Sequence, residues 1–165
     1  MPVSAKPEVA PLSEELVAFI QGRVSILVAS CDPGLLTSVV FALGCRVSPD
    51  RRRISIFVPE TQGAACIADV RATRRVAVNF GLPSTNRCVQ FKGRDADIEP
   101  VQPFDLACVS KHSQDFIDEL LPLREMSREV LETLLQHTPE QLVVISFTPA
   151  DGFVQTPGPG AGARL

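Results

Sequence analysis

Three side chains in the stretch RCVQFKG are equipped to hold an anion or the polar edge of a ring: Arg87, Gln90 and Lys92. A guanidinium grips a phosphate through two parallel bonds, an amide both donates and accepts, and an ammonium is a compact point charge. Read as a strand, the stretch puts Gln90 and Lys92 on one side, about 7 Å from each other. Arg87 shares its parity with Val89 and Phe91 and meets a ligand only because it stands at the strand's entrance. Thr61 and Gln62 precede a helix start, where unpaired backbone amides attract anions. The candidate ligand site is therefore Thr61, Gln62, Arg87, Gln90 and Lys92. The plainer alternative is that Gln90 and Lys92 form the solvated face of an edge hairpin.

The elements that must position these groups follow from periodicity. Val76, Val78 and Phe80 alternate with Ala77 and Asn79, the pattern of a strand with one buried face. Gly81, Pro83, Ser84 and Asn86 supply a turn, and the Gln90–Lys92 strand returns from it, continuing as an alternating strand through 95–99. Upstream, Ser13 caps a helix carrying Leu16, Val17, Phe19 and Ile20 as its apolar stripe, with Leu12 stapled to Val17. Residues 23–30 read as a strand, CDPG as a turn, 36–47 as a longer strand, and 53–58 as its hairpin partner. A helix over 64–74 turns Ile67, Val70 and its alanines inward.

Beyond Pro100 the pattern becomes helical. A helix over 103–121 has Phe104, Cys108, Phe116, Ile117, Leu120 and Leu121 as buried candidates. Ser127 caps another, burying Val130, Leu131, Leu134 and Leu135, and 141–147 is a last, strongly apolar strand. Domain organisation is a mobile leader over 1–11, one domain over 12–152, and a tail over 153–165 that packs on the domain or a dimer interface. The fold class is α+β, mainly β: antiparallel strands that curl into a barrel, with helical additions. A doubly wound nucleotide fold does not fit, because strand and helix do not alternate and no glycine-rich phosphate loop is present.

Composition narrows the function classes. The 165 residues are 45% hydrophobic and carry a formal charge of −3, which suits a packed single domain and no general nucleic-acid binder. No apolar run approaches the ~20 residues that span a bilayer, and a soluble cytoplasmic protein is expected. The five cysteines follow no paired or metal-binding spacing and read as small core residues without disulfides. His112 and His137 share no ligand spacing with them, so no metal site is expected.

The order of elements, the helix ending in ATRRVAVNF, the PSTNRCVQFKG strand and the QTPGPGAG tail together resemble the FMN-binding split-barrel family related to pyridoxamine 5′-phosphate oxidase. The match covers roughly residues 12–162 and is nearer to an uncharacterised branch than to the oxidase. The resemblance implies an antiparallel split β-barrel, a homodimer with FMN between the subunits, and a flavin-dependent oxidoreductase acting on a small molecule. The chain departs from the family where phosphate is held. Val39 and Gly44 stand where the oxidase has an arginine and a lysine. Ala64, Ala65 and Cys66 replace its Ser-Arg-Lys, and Cys88 replaces a glutamine, although Arg87 is kept.

Arg46, Arg87, Gln90, Lys92, Thr61, Ser84 and Thr85 are the evident substitutes. Three readings stand: an FMN flavoprotein with an altered site, a non-catalytic dimeric binding module holding another ligand such as haem or none, and an oxidase of a pyridoxal-type vitamer. The last is disfavoured by the lack of basic residues for two phosphates.

Overall fold

The computed structural model describes residues 9–123 and 126–165. Most of the expected leader over 1–11 lies outside the described residues; Leu12, just after it, donates its amide to the Arg51 carbonyl. Helix α1 (Glu14–Ile20) starts at Ser13, whose Oγ accepts from the Leu16 amide at 3.2 Å, and buries Ile20. The strands are β1 (Ser25–Cys31), β2 (Thr37–Phe41), β3 (Cys45–Val47), β4 (Ile54–Pro59), β5 (Val76–Gly81), β6 (Cys88–Gly93), β7 (Asp97–Pro100), β8 (Leu142–Phe147) and β9 (Asp151–Val154). The other helices are α2 (Ala64–Thr73), α3 (Pro103–Leu120) and α4 (Arg128–Leu134).

Two antiparallel sheets result, ordered β2-β1-β5-β6-β9 and β3-β4-β8-β7, and the class is α+β as the sequence implied. Their facing sides make the core. Ile26, Val28, Val78, Phe80, Val89 and Phe91 from the five-stranded sheet meet Ile54, Ile56, Val58, Ile145 and Phe147 from the four-stranded one, and Ile67 and Val70 of α2 join them. Phe80 and Phe91 pack edge to face with centroids 6.2 Å apart, a geometry aromatic pairs favour. The outer side of the four-stranded sheet is covered by α3, where Phe57 and Val144 meet Val109.

The expected long strand over 36–47 is two strands in different sheets. Ala42 still donates to Ile26 of β1, whereas Leu43 already donates to Phe57 of β4. Gly44 makes the corner at φ 144°, and a Cβ there would stand 3.2 Å from the His112 Cβ. Hydrophobicity alone does not reveal such a corner, because both halves are apolar. Likewise β6 does not run on through 95–99. The chain leaves at Arg94 and pairs β7 with β8 in the other sheet.

Helical faces needed correction too. The alanines of α2 point outward: Cys66, Ile67 and Val70 are buried, while Ala64, Ala68 and Ala72 form an exposed i, i+4 row. In α4 only Leu131 is fully buried, leaving Val130 and Leu134 exposed on a seven-residue helix. Phe104 is exposed at the start of α3, where its ring carries the Arg46 guanidinium at 5.1 Å. No described helix is long and apolar enough to cross a membrane.

Two outcomes follow from this packing. A Cβ on Gly93 would lie 2.6 Å from the Phe147 ring, inside the core, whereas one on Gly160 meets nothing within 4 Å. Gly93→Ala should therefore cost about 1–3 kcal/mol in chemical denaturation, and Gly160→Ala should cost nothing comparable. His112 is buried on the inner side of α3 with neither ring nitrogen hydrogen-bonded among the described residues, and burial pushes its pKa down to about 4. The unfolded chain takes up that proton first, near pH 6.5. Stability from a neutral His112 is thus complete above pH 6.5 and declines as the pH falls towards 4, by on the order of 2–3 kcal/mol. Denaturation across that range should show the slope in the parent and a flatter profile in His112→Leu.

Candidate functional site

Alternation gives the five-stranded sheet an outer face of different chemistry from its core. Across it, Ala29 stands opposite Ala77 and Ala77 opposite Lys92, while one row along Leu27 faces Asn79 and Asn79 faces Gln90. Gln90 and Lys92 therefore share the outer face, as their spacing predicted. Beyond them β9 adds Phe153 opposite Gln90 and Asp151 opposite Lys92. The tail then turns back. Gly162 donates to Val154, Leu165 donates to Gly152, and Arg164 pairs with Phe153 in an isolated antiparallel bridge.

This arrangement gathers cations that lie far apart in sequence. A cavity of about 490 Å³ opens on the outer face, walled by Lys92, Arg75 and Arg94 and floored by Ala29, Ala77 and Cys31. Arg164 stands beside it, its guanidinium 5.5 Å from the Phe153 ring, and the Lys92 ammonium lies 5.2 Å from the same ring. Such cation–π contacts hold a charge in place without neutralising it. One carboxylate answers the group: Asp151 accepts from Arg94 at 2.8 Å and from Arg164 at 3.0 Å. The Arg94 guanidinium first, and Arg164 after it, hold the Asp151 carboxyl below its usual range. Among the described residues neither Lys92 nor Arg75 is paired with a carboxylate. The Ser30 hydroxyl fixes the backbone at Arg75, whose carbonyl accepts from Ser30 Oγ at 2.7 Å. A net positive, apolar-floored groove of this kind binds an anion carried on a flat, uncharged body.

The other candidates go elsewhere. Arg87 points with Val89 and Phe91, and α1 captures it: it pairs with Glu15 at 2.7 Å and covers the Phe19 ring at 4.4 Å. Thr61 and Gln62 are exposed before the start of α2, whereas the Lys92 cavity lies at Arg75, beyond its other end. Ten residues of helix separate the two ends by about 15 Å. Of the further substitutes, Arg46 is held by the buried Asp105 at 2.8 Å, and the Ser84 amide and Thr85 hydroxyl serve the β5–β6 turn. Arg75, Arg94 and Arg164 were not legible as site residues. The parity of Arg94 with Lys92 was available, but the positions of Arg75 and Arg164 depend on the β1 and β9 pairings. Neither histidine lines the cavity: His112 is buried, and the His137 ring bonds the Leu135 carbonyl through Nδ1.

No family model matches this sequence, and no curated protein does. Solved structures do match in fold. HupZ of Group A Streptococcus aligns over 92% of this chain and 98% of its own at 12% identity, with a TM-score of 0.54. An F420 reductase aligns over 86% and 98% at 12% identity and a TM-score of 0.55. A candidate pyridoxamine 5′-phosphate oxidase of Lactobacillus delbrueckii aligns over 89% and 97% at 13% identity and a TM-score of 0.52. The fold is thus the antiparallel split barrel of pyridoxamine 5′-phosphate oxidase-like proteins.

The cysteines give a check on the face and the core together. Burial raises the Cys45 thiol far above its ordinary pKa and pushes Cys66 up to about 11, whereas Cys31, Cys88 and Cys108 are partly exposed. A thiol reagent at pH 8 should modify those three in the native protein and all five only after denaturation.

Proposed function

We propose that this chain is an FMN-binding flavoprotein that holds the cofactor on the outer face of β5 and β6 within a homodimer, and acts as an oxidoreductase on a small molecule. The observation that carries the reading is the Lys92 cavity, where Lys92 and Arg75 have no carboxylate partner among the described residues and stand above a floor of small apolar side chains. Its chemistry fits the group: Lys92, Arg75 and Arg94 suit the phosphate, Ala29 and Ala77 leave room for a flat ring, and the Gln90 and Asn79 amides suit the ring's polar edge. When bound, FMN supplies the redox chemistry, and the protein supplies orientation and charge. The names of two fold relatives, an F420 reductase and a candidate pyridoxamine 5′-phosphate oxidase, support a redox role.

The homodimer accounts for the apolar flank beside the cavity. Leu27, Leu35, Leu36 and Val39 are all exposed around the β1–β2 hairpin, and a second copy covering them buries surface that water otherwise meets. A second reading, a dimeric module that binds another anionic ligand without catalysis, rests on α2. Its first turn carries no basic side chain: Ala64, Ala65 and Cys66 occupy the positions where the resemblance places the phosphate ligands. In our reading the phosphate is held at the opposite end of that helix.

The test is FMN titration followed by flavin fluorescence, with the parent, Lys92→Ala, Arg75→Ala and Arg87→Ala. Losing a charge-assisted contact should weaken binding about tenfold in each of the first two. Arg87→Ala should bind like the parent, because Glu15 and Phe19 already engage that side chain. No binding by the parent sinks the flavin reading; binding unchanged by Lys92→Ala sinks the placement. Light scattering should return a dimer at micromolar concentration, and a monomer would remove the partner subunit from the account.

A further inference from the structure

We propose a second ligand site at the opposite end of the same sheet face, for an uncharged molecule that joins an aromatic ring to an amide or carbonyl. A cavity of about 430 Å³ lies there, within the range of small-molecule sites. Phe116 and Leu120 of α3 form its apolar wall, and Ser25, Asn86, Cys88 and Gln155 form its polar one. Among the described residues no charged side chain lines it. It shares no lining residue with the Lys92 cavity, so it stands whether or not FMN binds there.

Hydrogen bonds pin together the three elements that enclose this cavity. Glu119 of α3 accepts from the Ser84 amide at 2.9 Å and ties the β5–β6 turn to the helix. The tail is tied to β6, where Gln155 donates its backbone amide to the Cys88 carbonyl at 2.8 Å and Thr156 Oγ1 accepts from the Cys88 amide at 2.9 Å. The Phe116 ring is backed by Phe41 at 5.8 Å and by His112 stacked at 6.0 Å, which holds it as a flat surface. Within this frame two polar groups are already used: Ser25 Oγ donates to the Gly81 carbonyl, and Cys88 Sγ donates to Asn79 Oδ1. The Asn86 and Gln155 side-chain amides make no hydrogen bond among the described residues.

The Asn86 amide, exposed at the cavity's rim, and the half-buried Gln155 amide stand beside a fixed aromatic ring and are free to turn to a ligand. Each can both donate and accept, which matches an amide or carbonyl group. A charged ligand would find no counterion among the side chains lining this cavity, whereas an anion meets cations at the Lys92 cavity. The face is thus polarised, with anions held at the Arg75 end and neutral molecules at the Cys88 end.

Cys88 lines the cavity and so reports on its occupancy. The experiment follows alkylation of each cysteine by iodoacetamide, read by peptide mass spectrometry, with benzamide, benzoate and benzylamine as neutral, anionic and cationic probes of one shape. At ten times its dissociation constant benzamide should slow Cys88 about tenfold while leaving Cys31 and Cys108 unchanged, and the two charged probes should not protect. Gln155→Leu, which keeps the backbone bond to Cys88, should weaken benzamide about fivefold. Gly81→Val should abolish protection by filling the cavity, since a Cβ at Gly81 sits 3.4 Å from Ser25 Oγ and 3.8 Å from Cys88 Sγ, at ordinary contact. Failure of benzamide to slow Cys88 in the parent, or equal protection by benzoate, overturns the proposal. So does full protection retained in Gln155→Leu.

Discussion

Six consecutive pairs join β5 to β6, from Val76 opposite Gly93 to Gly81 opposite Cys88. Their register decides what every other part of the molecule can do. It sends Val78, Phe80, Val89 and Phe91 into the core and leaves Ala77, Asn79, Gln90 and Lys92 outside. A slip of β6 by one residue would turn Gln90 and Lys92 inward and Val89 and Phe91 outward, burying an ammonium and exposing a phenyl ring. Gly93 locks the register from within, because only a residue without a Cβ passes the Phe147 ring at that point. The core and the cationic face are therefore two consequences of one pairing.

Charge on that face is a local property that the whole chain conceals. The net charge of −3 argues against a basic protein, and for the molecule as a whole it is right. Yet Arg75, Lys92 and Arg94 line one cavity, and among the described residues Asp151 is the one carboxylate paired with Arg94 and Arg164. They come from the start of β5, from β6 and its exit, and from the tail, which the sequence keeps far apart. The resemblance to FMN-binding split barrels directs attention to the start of α2, where the expected cations are missing. The groove beyond the other end of that helix supplies a different set.

What was legible in the sequence was local. The alternation of 76–80 and 88–92 fixed both strands and the shared face of Gln90 and Lys92, and Ser13 and Ser127 marked their helix starts. What was not legible depended on long-range pairing. The corner at Gly44 hides inside an apolar run, because either sheet accepts the residues on both sides of it. The α2 alanines were assigned inward by composition, although the helix buries only the stripe of Ile67 and Val70. Arg87 was read as a phosphate ligand from its position at a strand entrance. Its actual neighbours, Glu15 and Phe19, come from a helix some seventy residues earlier, which no motif announces. Arg164 reaches the face only because the glycine-rich tail folds back on β9.

The central claim is that the outer face of the five-stranded sheet holds a phosphorylated flavin. It is tested most directly by the visible absorbance spectrum of the protein after incubation with excess FMN and passage through a desalting column. The account predicts flavin absorbance that travels with the protein in the parent and is lost from a Lys92→Ala, Arg75→Ala double variant that keeps its fold. A colourless parent would contradict it, as would a double variant that retains the flavin as firmly as the parent does.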